Sequence, residues 1–463
     1  DGTYLNHTPI HTSEKGTISL GSDSSTIVIS SSIKQGNSYG VLVFDNSPAA
    51  HSDQLKLDLT GDTISISAES KDGYAGALHV SSDVTVSDKD NNNTVNIVSK
   101  NGTTIYAKGT TGASAIELMS GGILNISGPL TAKAELNDGS KGDVIYARGG
   151  ATLNIGANGE TVKLDGNINF GYEGTTSGTG VDAFVNVTLT GADSYWNGNT
   201  ITSWSPDKPS DGKLEVTSLK VALNKGATWT PTVVENSQLK DQQYTALNKL
   251  TLDGGIVDVN KGVAITIENI DGKGAITNAG SVTIEKGTIE GPITFEKGDA
   301  KANNMVTVDK DGKTTLTGGV AGSGTIDKLA IAEDGKTTIT NAKLSGHEGR
   351  ALWNNGTLTI NGGGFEGNKA NVAGAIYNAA GADLTVDGVT FANNSSVNNV
   401  AGAINNRDGK VIITNSTFKG NDSGTKAGGA IANTAGSTEE GKLGTITIKG
   451  STFEGNKAGN GGA

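Results

Sequence analysis

The chain contains no cysteine, 7 prolines, 3 arginines and 5 histidines in 463 residues, and its aromatic content is 5%. Without cysteine no disulfide can lock the chain before it crosses a membrane, which suits an exported protein. No apolar run reaches 18 residues, so no segment reads as a membrane-spanning helix. The first residues carry no basic and apolar leader; the expectation is that one was never present or has been cleaved. The final Gly461, Gly462 and Ala463 stop within a repeat, so the chain reads as a fragment of something longer. Basic residues number 36 against 48 acidic, giving a formal charge of −12. That field opposes attraction to nucleic acid and anionic lipid, so neither is expected as a partner and direct membrane insertion is not expected. A polyanionic ligand would need a local basic patch.

These scarcities also bear on chemistry. Only His7 and His11 lie close together, in a stretch with no helical period, and they are assigned neither metal nor catalysis. Asp88, Asp90 and Asn92 open like a calcium loop, but the glycine and closing glutamate that such a loop requires do not follow, and a solvated turn is the simpler reading. A polysaccharide lyase or hydrolase needs clustered carboxylates and a positioned Arg or Lys base. None of Arg148, Arg350 and Arg407 sits in a dense acidic stretch. The expectation is a non-enzyme without cofactor.

What is abundant is glycine, at 68 residues, with Thr, Asn, Ser, Val and Ile between the glycines. These are turn and strand formers. A hydrophobic fraction of 34% suits a thin solenoid with one inward apolar layer, which lengthens by adding coils rather than by enlarging one core. Almost no α-helix is expected; the best candidate is residues 235–250.

The clearest order lies near the C-terminus. Phe365, Phe391, Phe418 and Phe453 each follow an aliphatic residue (Ile360, Val386, Ile413, Ile448) by five positions and precede an asparagine (Asn368, Asn394, Asn421, Asn456) by three. Interleaved with this block, Leu352, Ile376, Ile404 and Ile431 each have an asparagine two positions on, at Asn354, Asn378, Asn406 and Asn433. A step of two keeps one face of a strand. Spacing within blocks is constant, whereas the steps from Leu352, Ile376, Ile404 and Ile431 to the next aliphatic run six, eight, seven and fifteen. Short strands joined by adjustable corners, the coils of a parallel β-helix, give that pattern.

The same logic, without phenylalanine, recurs where Leu78, Ile116 and Ile145 precede Val84, Leu124 and Leu153 by six, eight and eight residues. One all-β architecture is therefore expected throughout, as a single domain. Residues 1–190 are N-terminal coils, 191–260 loop-bearing middle coils, and 261–463 C-terminal coils with Phe-x-x-Asn repeats. The stretch from Trp196 to Asp211 reads as a protruding loop, and KLTLDGGIVDV, residues 249–259, as a strand, tight glycine turn and strand.

Gly-Ala-Ile at 374–376, 402–404 and 429–431, paired with Phe-x-x-Asn, resembles the repeats of the polymorphic outer-membrane proteins, a family of autotransporters. Residues 221–229 (VALNKGATW) with 247–255 (LNKLTLDGG) are similar to the tryptophan-bearing coil of pertactin-like and AIDA-type passenger domains. The resemblance to AIDA-type autotransporter adhesins implies a right-handed three-stranded parallel β-helix, displayed on the surface of a Gram-negative cell after export through a C-terminal translocator barrel that is absent from this sequence. It further implies binding to host extracellular-matrix ligands, glycans such as glycosaminoglycans or fibronectin, or self-association between cells that promotes aggregation and biofilm.

Candidate contacts follow from exposure and charge. Lys369, Lys426 and Lys457 recur near one corner and with Arg407 could make a basic stripe, although Glu366, Asp422 and Glu454 dilute it. The longest corners, from Leu42 to Leu57 and from Ile431 to Ile446, fall on one edge if the register holds. With the loop near Trp196 they could wall a groove presenting Asp45, His51, Asp53, Lys208, Asp211, Glu439, Glu440 and Lys442. The repeated asparagines and phenylalanines are read instead as inward-facing stacks.

Overall fold

The computed structural model describes the chain other than residues 1–5, 13–15, 45–54, 82–92, 120, 149, 172–182, 204–217, 234–241, 245–246, 261–262, 279–280, 291–292, 296–305, 309–312, 318–319, 325–328, 332, 334–335, 398, 437–443 and 462–463. The described residues form strands and turns and contain no helix. They divide into two compact units, residues 1–248 and 249–463.

Within the N-terminal unit, strands from successive repeats pair in parallel. Val41, Leu78, Ile116, Ile145 and Ile168 align in one stack. Leu57, Val95, Leu124, Leu153, Val185 and Leu219 align in a second. Ile66, Ile105, Ala132, Leu164, Trp196 and Trp229 align in a third. All of these residues are buried. The alternation of apolar and polar residues along each strand is therefore converted by in-register pairing into continuous apolar rows. Leu55–Ser70 belongs to two of these stacks, pairing with both Gly16–Gly21 and Thr26–Ile33.

The C-terminal unit repeats the scheme with the aligned blocks found in the sequence. Leu329, Leu352, Ile376, Ile404 and Ile431 are in register, as are Ile360, Val386, Ile413 and Ile448. Phe365, Phe391, Phe418 and Phe453 stack with centroid separations of 5.1, 4.7 and 4.8 Å and interplanar angles below 10°. Offset-stacked pairs of this kind contribute about 0.5–1.5 kcal/mol each beyond the area they bury.

The asparagines form two internal ladders. Asn354 Nδ2 donates to Asn378 Oδ1 (2.7 Å), Asn378 to Asn406 (2.8 Å) and Asn406 to Asn433 (2.9 Å). In the second ladder Asn368, Asn394, Asn421 and Asn456 are linked by amide bonds of 2.9, 3.0 and 2.9 Å. Each spare amide hydrogen there reaches the carbonyl of a residue one repeat earlier, Leu344, Phe365, Phe391 and Phe418 in turn. Turn carbonyls and amides that would otherwise be buried without partners are thus satisfied.

Three local expectations are corrected. Trp196 is no loop residue: Tyr195–Asn197 is a strand, the indole is fully buried, and it stacks on Trp229 at 4.9 Å with Nε1 donating to the Gly166 carbonyl. The neighbouring polar and glycine residues suggested a loop, but a large apolar side chain with its one donor satisfied is best held inside. Residues 249–259 are one strand, Lys249–Val259, broken only by a bulge between Asp253 and Gly255, with Gly254 at φ 78°, not a strand-turn-strand. Parallel pairing with Ala264–Asn278 along its whole length outweighs the turn propensity of the glycine pair. In the stretch 235–250, Gln242–Tyr244 is a strand that pairs antiparallel with Thr200–Ser203.

Candidate functional site: an aromatic and arginine surface on the C-terminal unit

Of the residues singled out for ligand contact, Asp45, His51, Asp53, Lys208, Asp211, Glu439, Glu440 and Lys442 lie outside the described residues, as do Asp88, Asp90 and Asn92. Lys369, Arg407 and Lys426 are described and exposed. Lys369 and Lys457 belong to one row, in which Glu348, Lys369, Ser395, Asp422 and Lys457 align on successive turns of chain. Charges alternate along it. Lys426 lies in a separate turn, where Ser423 Oγ donates to its carbonyl. The structure does not gather the lysines with Arg407.

Arg407 is instead drawn to an aromatic pair. Ala330, Trp353, Tyr377, Asn405 and Ala432 occupy one row, each the central or second residue of its strand and out of phase with Leu352, Ile376 and Ile404; Ala330 and Trp353 are half-buried, and Tyr377, Asn405 and Ala432 are buried under their neighbours. Trp353 and Tyr377 meet at 5.5 Å with planes 63° apart. The Arg350 guanidinium lies over the Trp353 ring at 4.1 Å and 5.0 Å from the Tyr377 centroid. Arg407 Nη1 reaches the Tyr377 hydroxyl at 3.4 Å. Cation–π contact holds a guanidinium flat against an aromatic ring.

Small residues support this pair from the side. Ala373, Ala401 and Ala432 pack with Tyr377, and Trp353, Val372, Ala379 and Val400 lie against them. Ala373 and Ala401 have φ of 54° and 64°, a left-handed conformation that costs a side-chain-bearing residue about 1–2 kcal/mol. At the equivalent place one repeat later stands Gly428, φ 71°. The methyl groups of the two alanines are retained despite the strain, and they are what Tyr377 packs on. Only Arg407 of this group was singled out from the sequence. Arg350 and Trp353 fall in one repeat and Tyr377 in the next, with different neighbours, so no spacing marks them; the one available signal was that an aromatic residue stands between the inward aliphatic and the inward asparagine in two successive repeats.

The N-terminal unit holds a second polar assembly, on the outward face of its first stack. His79 Nδ1 lies 2.9 Å from Glu117 Oε2, which also accepts from the Tyr74 hydroxyl at 3.1 Å. Tyr39 packs edge-on to His79 at 5.9 Å, and Gly76 leaves the room its ring needs, because a Cβ there would come within 3.0 Å of it. Burial raises the Glu117 carboxyl, but the His79 imidazole, the Tyr74 hydroxyl and the charge of Arg148 outweigh it and leave Glu117 below the usual carboxylate range. On the strand Asp143–Ala147, burial pushes Asp143 up to about 7 against the hydrogen bond from Asn169. The Tyr39 hydroxyl is pushed up to about 12 by burial and by Glu117. The fold therefore brings Arg148 and His79 to carboxylates from which they are distant in sequence. Among the described residues no group of three or more His, Cys, Asp or Glu side chains is arranged to hold a metal ion.

A third feature of that unit is a polar row, Asp58, Asn96, Asn125, Asn154, Asn186 and Lys220, aligned on six consecutive strands. Asn125 and Asn154 are exposed and the other asparagines half-buried. The amides bond along the row, Asn96 to Asp58 at 2.8 Å, Asn125 to Asn96 at 2.9 Å and Asn186 to Asn154 at 2.8 Å.

No family model matches the chain, and no curated protein or solved structure is similar to it.

Proposed function

We propose that each unit is a right-handed three-stranded parallel β-helix and that the chain is the passenger part of an autotransporter adhesin, displayed on a bacterial surface, which binds an extracellular-matrix glycan or glycoprotein without catalysis. The stacked parallel rows support the fold, and the resemblance in the Gly-Ala-Ile and Phe-x-x-Asn repeats supports the family. The observation that carries binding is the aromatic and arginine surface: an acidic chain with 3 arginines has two of them, Arg350 and Arg407, converging on Tyr377. Arginine, tyrosine and tryptophan are the residues most enriched where binding energy concentrates. Binding of the purified chain to immobilised heparin and to fibronectin tests this reading. Saturable binding to one of them, weakened by Trp353→Ala or by Arg350→Ala with Arg407→Ala, is expected; absence of binding to either, together with unchanged attachment of cells that lack the protein, refutes it.

A second reading, self-association between cells, is favoured by the exposed asparagine row. Each amide carries both a donor and an acceptor, and the row runs from an acid, Asp58, to a base, Lys220, so two copies laid head to tail would be complementary. Settling of cells that display the chain, abolished by Asn125→Ala with Asn154→Ala, separates this reading from the first.

A further inference from the structure

On the third stack of the N-terminal unit lies a shallow trough lined mainly by hydroxyl side chains. We propose that it binds a short stretch of linear saccharide carrying a single carboxylate, with neutral rings along its floor and the acid at Lys163. This site shares no residue with the aromatic and arginine surface and does not depend on it.

Strand register builds the trough. Ser65, Thr104, Thr131 and Lys163 align on four consecutive strands, out of phase with the buried Ile66, Ile105, Ala132 and Leu164. A second row, Thr26, Thr63 and Gly102, runs beside them two residues earlier in each strand, and Asn101, Pro129 and Thr161 complete the lining. Gly102 puts no side chain where Thr63 carries one; a Cβ there would meet nothing nearer than the Pro129 carbonyl oxygen at 3.4 Å. The space enclosed is about 280 Å³. Neighbouring strands are about 4.8 Å apart, so four of them span about 14 Å, the length of a few linked sugar rings.

The lining sets the ligand class. The Thr63 hydroxyl donates to Thr26 at 3.3 Å and the Thr103 hydroxyl to Ser99 at 2.9 Å. The hydroxyls of Ser65, Thr104, Thr131 and Thr161 and the Lys163 ammonium have no protein partner among the described residues. A hydroxyl both donates and accepts, so such a row can pair with the hydroxyls of a sugar as they leave water. Half-buried Ile27 and Pro129 add apolar surface for the C–H faces of the rings. Charge then selects among saccharides. The chain carries a net charge of −12, yet none of the described residues lining the trough is acidic and one, Lys163, is basic. One carboxylate is matched there, whereas a polysulfated chain meets the repulsion of the surrounding field.

The test is saturation-transfer difference NMR on the full chain, titrated with four probes. Sialyllactose and a hyaluronan disaccharide each carry one carboxylate and distinguish a sialic from a uronic acid; lactose is neutral, and a heparin tetrasaccharide is polysulfated. One of the two acidic sugars should bind with a dissociation constant of roughly 1 mM, about 3- to 10-fold more tightly than lactose. Thr104→Val with Thr131→Val keeps side-chain volume and strand propensity, and should weaken lactose and the acidic sugar alike by roughly 10-fold. Lys163→Gln should bring the acidic sugar to the affinity of lactose while leaving lactose unchanged, a selectivity that mere loss of structure would not produce. Thr104 and Thr131 are exposed, so thermal melts should match the parent; if the double variant does not fold, Lys163→Gln alone decides. The proposal is overturned if neither acidic sugar binds, if the folded valine variant binds as the parent does, if Lys163→Gln leaves the preference for the acid intact, or if heparin binds more tightly than both acidic sugars with the same dependence on Lys163. Loss of sugar binding in Arg350→Ala with Arg407→Ala would also overturn it. Failure of the adhesin reading is distinguishable: binding to heparin and fibronectin would be absent while the acidic sugar still bound at Lys163.

Discussion

Replacing Asn421 with alanine removes a side chain that no water can replace. Its Nδ2 donates to the Phe391 carbonyl and to Asn456 Oδ1, both at 2.9 Å, and its Oδ1 accepts from the backbone N–H and the side-chain amide of Asn394, both at 3.0 Å. Asn421 and Asn394 are fully buried, whereas Asn456 is only half-buried. Truncation therefore strands two donors on Asn394 away from solvent and takes a donor from the Phe391 carbonyl. A buried group left without a partner costs about 1–3 kcal/mol, so the two stranded donors alone cost roughly 2–6 kcal/mol, a large part of the 5–15 kcal/mol that holds a typical domain folded. For a unit of this size, about 4 kcal/mol corresponds to a fall in Tm of about 8–16 °C. Asn421→Asp should be worse, because a carboxylate would face the Phe391 carbonyl and Asn456 Oδ1, to which the amide now donates. Asn456→Ala is the control, since water can satisfy the groups it leaves, and it should cost less than about 2 kcal/mol. Urea unfolding of the full chain, with amide exchange followed at Asn394, measures both. Equal losses for Asn421→Ala and Asn456→Ala, or a loss below about 1 kcal/mol for the former, would refute the assignment of the ladder as a satisfied, dry network.

Three further outcomes follow from the same geometry. Phe391→Ala, at the centre of the ring stack, should destabilise the C-terminal unit by about 3–5 kcal/mol, and Phe391→Leu by clearly less, as read from urea midpoints. Asp143 is raised from 3.8 to about 7 in the folded N-terminal unit, so the native state holds its proton more tightly than the unfolded chain does. The contribution of this group is greatest below about pH 4 and is lost as pH rises to about 7; Asp143→Asn should remove that decline when midpoints at pH 5 and pH 8 are compared, and an unchanged decline would contradict it. Gly402→Ala places a methyl 2.2 Å from the Gly429 carbonyl oxygen and 2.5 Å from the Asp422 nitrogen, so soluble, folded protein should be strongly reduced. Gly381→Ala, at φ 78° with open space around it, should cost only the left-handed strain of about 1–2 kcal/mol.

The legible parts of the fold were those written as short-range spacing. The two-residue step from Leu352 to Asn354 lies within a single strand, and strand geometry alone keeps both side chains on one face; the odd, five-residue step from Ile360 to Phe365 instead passes Gly362 and Gly363, at φ 69° and 92°, which lets both side chains be buried. Repetition then implied that equivalent residues pair, as Phe391 does with Phe418 and Asn378 with Asn406. Trp196 was misread because its neighbours carry turn propensity while the decisive fact, its alignment with Trp229, depends on pairing across 33 residues of sequence. The glycine pair in Lys249–Val259 misled for the same reason: a local turn preference of about 1 kcal/mol yields to a ladder of parallel hydrogen bonds.

The amino-acid order by itself determined the strands, their inward rows and the asparagine and phenylalanine stacks, because each depends on steps of a few residues along one backbone. Only the tertiary structure decided which outward side chains share a surface. Arg350, Trp353, Tyr377 and Arg407 come from three repeats, and His79, Glu117 and Asp143 from three others. Corners of variable length separate them, so their meeting is set by the register in which distant strands pair, a property that no stretch of sequence carries alone.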